Sequence, residues 1–449
     1  MNSILLSSAP HSSAAPQSAA LRSFAAQWGT RLADPLSPLR EQALQRFLKL
    51  GLPTTHDETW RYTNLRSMAA QTFVDAPCKT RGEIEPNASL ALLNKTDRAA
   101  SLLMVNGYPS MPADGMIDGV EIYSLRETAR LDPDTLLRFQ EPLSDADPQR
   151  FALLNTALYL DGLYLKITDR LPIPLVILHV ATAETGGTIA YPRIIIEAAP
   201  ECSATIIEHH VAQGEHTPLC NSNTHIALRQ NSRLEHYRVF ATGADAAHID
   251  SLTVRQDRDS QCTQFTIVLG GGLVRTTLNA HLDAPGAALD SRSLLVGHRE
   301  RHVDCVNLVT HSAPDTVSNQ SVRAVAGDTS RAISNSKVIV DKGAVRTQSQ
   351  QSCRGLLLSP TAEIDTRPQL EIHADEVKCA HGATTGRLDP NMLFYMLSRG
   401  LDRDTAQSLL VYAFLADALA GMSVTSARAA IERALIAQLP ESQTLRNFR

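Results

Sequence analysis

Val274-Arg275-Thr276-Thr277-Leu278-Asn279-Ala280-His281-Leu282-Asp283 alternates without a break. Val274, Thr276, Leu278, Ala280 and Leu282 fall on one side, and Arg275, Thr277, Asn279, His281 and Asp283 on the other. A period of two belongs to a β-strand, and Pro285-Gly286 then turns the chain. Tyr191 to Glu197, Ala204 to Glu208 and Lys337 to Asp341 read as further strands. From about Ser101 to Ile372, Val, Ile, Thr and Leu dominate and Gly, Asn, Asp and Pro punctuate, with no helical period between them. Many short strands without crossover helices imply a sandwich, a barrel or a β-solenoid. The region is long for one sandwich, which favours a solenoid whose coils bury their inner faces on one another. No fixed repeat length is visible.

Helical patterns flank this region. Leu39, Leu44, Phe47 and Leu48 share a helical stripe, with Gly51 as its C-cap and Pro53 blocking continuation. Trp60 and Tyr62 follow, and are expected to pin this part onto the strands. Near the other end, Asp389-Pro390 opens a helix with the stripe Met392, Leu393, Met396 and Leu397, closed by Gly400. Asp402 caps a second helix with an apolar face of Ala406, Leu409, Leu410, Ala413, Phe414 and Leu415, and a third segment runs from Val424 to about Leu439. Phe394 and Phe414 are expected in the core of this bundle. The bundle is expected to cover the open end of the solenoid and to offer a docking surface. Residues 1–100 are therefore assigned to a Ser/Ala-rich disordered leader and an N-terminal helical domain, 101–377 to the β core, and 378–449 to a C-terminal helical domain.

Composition narrows the function. The chain has 449 residues, 43% hydrophobic and 20% charged, with a net charge of −5. There is no basic excess to neutralise phosphates, which argues against nucleic acid as a partner. No apolar run is long enough to span a bilayer, and the N-terminus lacks the positive and apolar regions of an export signal. Seven scattered cysteines without a C-x-x-C argue against a disulfide framework, a closed zinc site or a permanently held four-cysteine cluster, and place the chain in a reducing cytoplasm. Most are read as small buried hydrophobes.

Several catalytic motifs are missing. There is no G-x-x-x-x-G-K-[ST], so no nucleotide is expected on this chain, and neither G-x-S-x-G nor H-E-x-x-H occurs. Gly270-Gly271-Gly272 lies between strands and reads as a tight turn. His298 and His302 would lie about 13 Å apart along a strand, too far to chelate one ion. They read as surface histidines. Glu208-His209-His210 reads the same way, since adjacent strand residues point to opposite faces. By contrast, Cys379 and His381 in Val377-Lys378-Cys379-Ala380-His381-Gly382-Ala383-Thr384 share one side of an extended segment, and they are the donor types that soft metals and iron–sulfur clusters prefer.

Pro368 to Thr384 resembles the signature of the SufB/SufD family, scaffold subunits of the Suf iron–sulfur cluster assembly system. Phe151 to Ala157, Ser330-Arg331-Ala332, Gln350-Gln351, Leu356 to Ser359, Leu393-Phe394-Tyr395, Ser398-Arg399-Gly400 and Ala413-Phe414 continue the match. Gly51-Leu52-Pro53 with Glu58 to Thr63 looks like the SufD branch. The resemblance implies a right-handed parallel β-helix between helical terminal domains. It implies pairing with a SufB-type paralogue through the β-helices, a SufC-type ATPase on the C-terminal helices, and a transient iron–sulfur cluster at the paralogue interface. Cys379 and His381 fall on the family's functional Cys and His, with a proposed role in holding iron, sulfur or the nascent cluster. Tyr395 and Arg399 lie where the ATPase would dock, Arg399 being the better partner contact. The chain departs from the family pattern at Ile333-Ser334-Asn335-Ser336, where Phe-x-Gly is usual, and at Cys305, where His is common. A homodimeric or SufB-like scaffold and a β-helix enzyme acting on polysaccharide are the alternatives. The sparse cysteines count against the former, and the lack of a signal peptide and acidic clusters against the latter.

Overall fold

The computed structural model describes residues 18–31, 33–79, 84, 93, 97–111, 117–140 and 149–438. The expected leader falls outside these residues up to position 17, and the end of the last helical segment lies outside them at Leu439.

Two β-sheets face each other, one of 11 strands and one of 10. Each turn of the chain adds one strand to each sheet, in parallel register, making a β-solenoid of about 8 turns. Leu273 pairs with His302 and His302 with Arg331, each 29 residues further on. The alternation that begins at Val274 is realised here. Val274, Thr276, Leu278, Ala280 and Leu282 are all buried. Leu278, Ala280 and Leu282 join the main interior cluster with Ile206, Ile226, Leu252, Val309 and Val338, while Val274 joins a second one with Phe240, Val303 and Cys305. Gly270-Gly271-Gly272 is the expected tight turn, and a side chain at Gly270 would meet the Thr242 carbonyl oxygen at 2.2 Å.

The repeat is written in the corners. Glu201, Asn231, Asp259, Gly286, Asp315, Arg346 and Glu376 all have positive φ, one per coil. Each accepts the same turn, and backbone bonds such as Asp259 N to Pro285 O (3.0 Å) and Asp315 N to Val345 O (3.0 Å) stack one corner on the next.

The outer faces are also buried in part, and helices bury them. α1 (Ala19–Trp28), α2 (Ser37–Leu50) and α3 (Arg66–Ala69) lie at the N-terminal side. The Gly51 C-cap forms, with φ 71° and its N–H donating to Phe47 O. α4 (Leu125–Leu131), α5 (Pro133–Leu137) and α6 (Arg150–Leu158) interrupt the region expected to hold strands alone. The reason is on the outside of the larger sheet. Tyr164, Tyr191, Ile195, Ala227 and Ile249 point outward and are apolar, and α1, α2 and α6 cover them. Asn155 of α6 donates to the carbonyls of Pro192 (3.0 Å) and Asn221 (2.7 Å), which locks the helix in place. Trp60 pins the N-terminal part as expected, packing on Phe151 at 5.6 Å with the Arg275 guanidinium 3.7 Å from its ring centroid.

The C-terminal helices differ from expectation in two ways. The solenoid runs past residue 377, because Lys378–Arg387 is a full strand paired with Gln348–Leu357. α7 (Pro390–Ser398), α8 (Arg403–Leu419) and α9 (Thr425–Ile436) then begin at the expected Asp389 and Asp402 caps. They do not cover the open end. Val411, Leu415, Leu419, Ile431 and Leu435 instead bury the outward face of the smaller sheet, at Tyr237, Phe265, Ile267, Leu294 and Val325. That flank is a larger apolar target than the rim of a single coil. Arg323–Asp417 (2.8 Å) ties α8 to it.

Candidate functional site

Cys379 and His381 sit on the last strand of the smaller sheet, Lys378–Arg387. Cys379 pairs with Ser349 and His381 with Gln351, whose side chains are buried in the solenoid interior. The two donors therefore continue the inward-facing rows, and Cys379 packs against the main interior cluster. Among the described residues no further coil follows. His381 is exposed and Cys379 half-buried, so the pair lines an uncovered mouth. Partial burial raises the Cys379 thiol pKa, against the pull of the Ser349 backbone. The free thiol is thus protonated at neutral pH.

Both strands of this coil, Glu363–Ile372 and Lys378–Arg387, are the outermost of their sheets. Each leaves one edge of backbone donors and acceptors unpaired, a template for another chain's strand. Arg367 reaches Glu58 (2.6 Å) and Arg331 reaches Asp365 (2.8 Å), so polar contacts brace this coil from the N-terminal side.

Inward from His381 runs one row of the smaller sheet: Gln351, Gln320, Ser291, Gln264 and His236. All five are buried. Gln320 and Gln351 have no hydrogen-bond partner for either amide atom. His236 ends on Glu208, with Nε2 2.7 Å from Oε1.

A profile described as SUF system FeS cluster assembly, SufBD core domain, matches residues 179–414, more than half of the chain. The chain belongs to the SufBD family. The SufBD N-terminal region matches residues 25–177. Among its relatives, the iron-sulfur cluster assembly protein SufD of Escherichia coli (strain K12) is 29% identical over 385 residues, covering 85% of this chain and 88% of that protein. SufD of Bacillus subtilis (strain 168) is 23% identical over 392 residues, covering 85% and 89%.

Some other residues of this SufBD chain fall as their sequence reading has them, and some do not. Tyr395 and Arg399 are exposed and adjacent, with the guanidinium 5.1 Å from the ring centroid. Phe394, expected in the helical core, is 72% exposed, because α7 buries no residue at all. Phe414 is half-buried beside Arg323. Cys202, Cys220, Cys262, Cys305 and Cys353 are buried as expected, while Cys78 is exposed. Burial pushes the Cys220 and Cys262 thiols up to about 12, which keeps them inert. Glu208 and His210 are not surface groups. They sit two apart on one strand, point inward and are 1% and 2% exposed. His298 is a surface residue, paired to Asp328 at 2.8 Å, whereas His302 is half-buried against Thr63 at 2.9 Å. Among the described residues, no helix is long and apolar enough to cross a membrane.

Proposed function

We propose that this chain is a non-catalytic scaffold subunit of a SufBCD-type complex, at whose open coil nascent iron–sulfur clusters are assembled. The observation that supports this most is the uncapped mouth, where Cys379 and His381 stand on one of the two unpaired edge strands. A SufB-type paralogue with its own open coil would pair with those edges and supply the missing donors. The cluster is cargo, held briefly by few and exchangeable ligands. Energy comes from a SufC-type ATPase, since this chain carries no phosphate-binding loop. Met392, Phe394 and Tyr395 expose an apolar face on α7, and Arg399 adds the charge typical of an interface anchor. The complex works in the cytoplasm.

Co-expression with SufB- and SufC-type partners tests the assembly. The chain should elute with both, and Arg399→Ala with Tyr395→Ala should release the ATPase while leaving the paralogue bound. Complementation of a Suf-dependent strain tests the mouth: Cys379→Ala and His381→Ala should each lower growth, and full growth with both would remove the donor role. A second copy could pair with the same edges, so the chain alone should run as a dimer that the SufB-type partner replaces.

A further inference from the structure

The interior holds a second set of donors, far from the mouth. Glu208 reaches the solenoid axis between three imidazoles. Its Oε2 lies 3.1 Å from His179 Nε2 and 3.6 Å from His210 Nε2, and the three ligand atoms all fall within 4.8 Å of one another. For bonds of about 2.0–2.1 Å in a tetrahedral site, ligand atoms sit about 3.3 Å apart. Closing this set around one ion draws the three ligand atoms together and turns one of the two imidazoles out of their parallel stack, because a ring nitrogen binds a metal in the plane of its ring.

The surroundings hold the donors in place. The other Glu208 oxygen accepts from Thr224 Oγ1 at 3.1 Å and contacts His236 Nε2 at 2.7 Å, an outer contact of the kind that orients a ligating carboxylate. The His210 ring is stacked between His179 (centroids 4.1 Å apart, 12° between planes) and Phe240 (4.6 Å, 8°). Neither nitrogen of His210 has a hydrogen-bond partner, although the residue is only 2% exposed. An imidazole aimed at a carboxylate, but too far for a hydrogen bond, leaves buried polarity unsatisfied. An ion between them would satisfy it. A small cavity lined by Met104, Asn106, His179, His210, Cys220 and His248 lies beside the cluster and leaves space for about one water-sized ligand.

We propose that His179, Glu208 and His210 bind one first-row divalent transition-metal ion inside the solenoid, separately from Cys379 and His381. Two imidazoles and one carboxylate suit Zn(II), Co(II) or Fe(II) and not Mg(II) or Ca(II), which prefer all-oxygen sites. The site does not depend on the reading of the mouth.

Co(II) titrated into the metal-stripped full-length chain is the test, read by its visible ligand-field bands and by calorimetric stoichiometry. One equivalent should bind to the wild type, compete with Zn(II), and raise the thermal midpoint. Glu208→Gln and His210→Gln should weaken binding about 100-fold or more, and His236→Gln by about 10–100-fold. Cys379→Ala with His381→Ala should bind as the wild type does. His179→Gln serves if another variant fails to fold, judged by circular dichroism. Absence of stoichiometric binding to the wild type, binding unchanged in the ligand variants, or loss of binding in the Cys379/His381 double variant would each overturn the proposal. Anaerobic Fe(II) in the same titration distinguishes an iron site from a zinc site.

Discussion

His381 and His236 occupy the same row of one parallel sheet, with Gln351, Gln320, Ser291 and Gln264 between them. At the usual strand spacing they stand about 24 Å apart. One faces the mouth and the other holds Glu208. A buried polar row costs stability unless its groups are paired.

Two amides of that row are idle. Gln320 and Gln351 bury both amide atoms without partners. Replacing them together by Leu, which is close in volume, should leave stability unchanged or raise it, because buried unsatisfied groups disappear. Urea denaturation measures this. A loss above about 1 kcal/mol would mean that the amides hold something in the folded chain.

His381→Ala should separate function from folding. His381 is exposed on the last strand, and surface substitutions of this kind change stability by about 0.5 kcal/mol at most. The expected result is an unchanged thermal midpoint with impaired complementation.

Arg275→Ala should be costly. Arg275 pairs with buried Asp304, donates to Thr59 O at 2.8 Å and underlies Trp60. Removing one partner of a buried pair strands the other, typically at about 3–5 kcal/mol. Limited proteolysis should then find the chain around Glu58 to Thr63 more readily cut, since Thr63 also bonds Asp304 at 2.5 Å.

Gly286→Ala tests the corner stack. Gly286 has φ 78°, and a Cβ there would come within 1.9 Å of Asp259 Oδ1. The left-handed conformation costs about 1–2 kcal/mol, and the clash adds to it. In the Asp259→Gly background the loss should shrink, a coupling that a double-mutant cycle reads directly.

Acid should weaken the fold through His311. Burial pushes its pKa down from 6.5 to about 4. The ring is hydrogen-bonded to Thr316 and Ser318, both at 2.8 Å. The unfolded chain therefore binds a proton below pH 6.5 that the folded chain refuses until about pH 4. Its contribution is whole above pH 6.5 and is lost progressively as pH falls to about 4, to a total on the order of 3 kcal/mol. Unfolding free energies across this window should fall less steeply in His311→Gln.

The strand that carries the candidate pair was legible. The Cys379–His381 spacing places both on one side of a strand, and the strand exists. The corners were not legible as a repeat, because Glu201, Asn231, Asp259, Gly286, Asp315, Arg346 and Glu376 share a backbone conformation but no single residue type, and they recur at uneven intervals. Glu208 and His210 were hidden for a related reason: their partners His179 and His236 come from neighbouring coils, some 30 residues away in either direction. Phe394 was misplaced because an apolar stripe says that a face seeks cover and not which molecule covers it.

The sequence by itself determined that the middle of the chain is mostly strand, the helix caps at Gly51, Asp389 and Asp402, and the same-side spacing of Cys379 and His381, because alternation, capping and i, i+2 geometry are local. The tertiary structure alone decided which coil is last, which faces the helices cover, and which imidazoles meet Glu208. Those depend on stacking register, and register is settled by contacts between residues a whole coil apart.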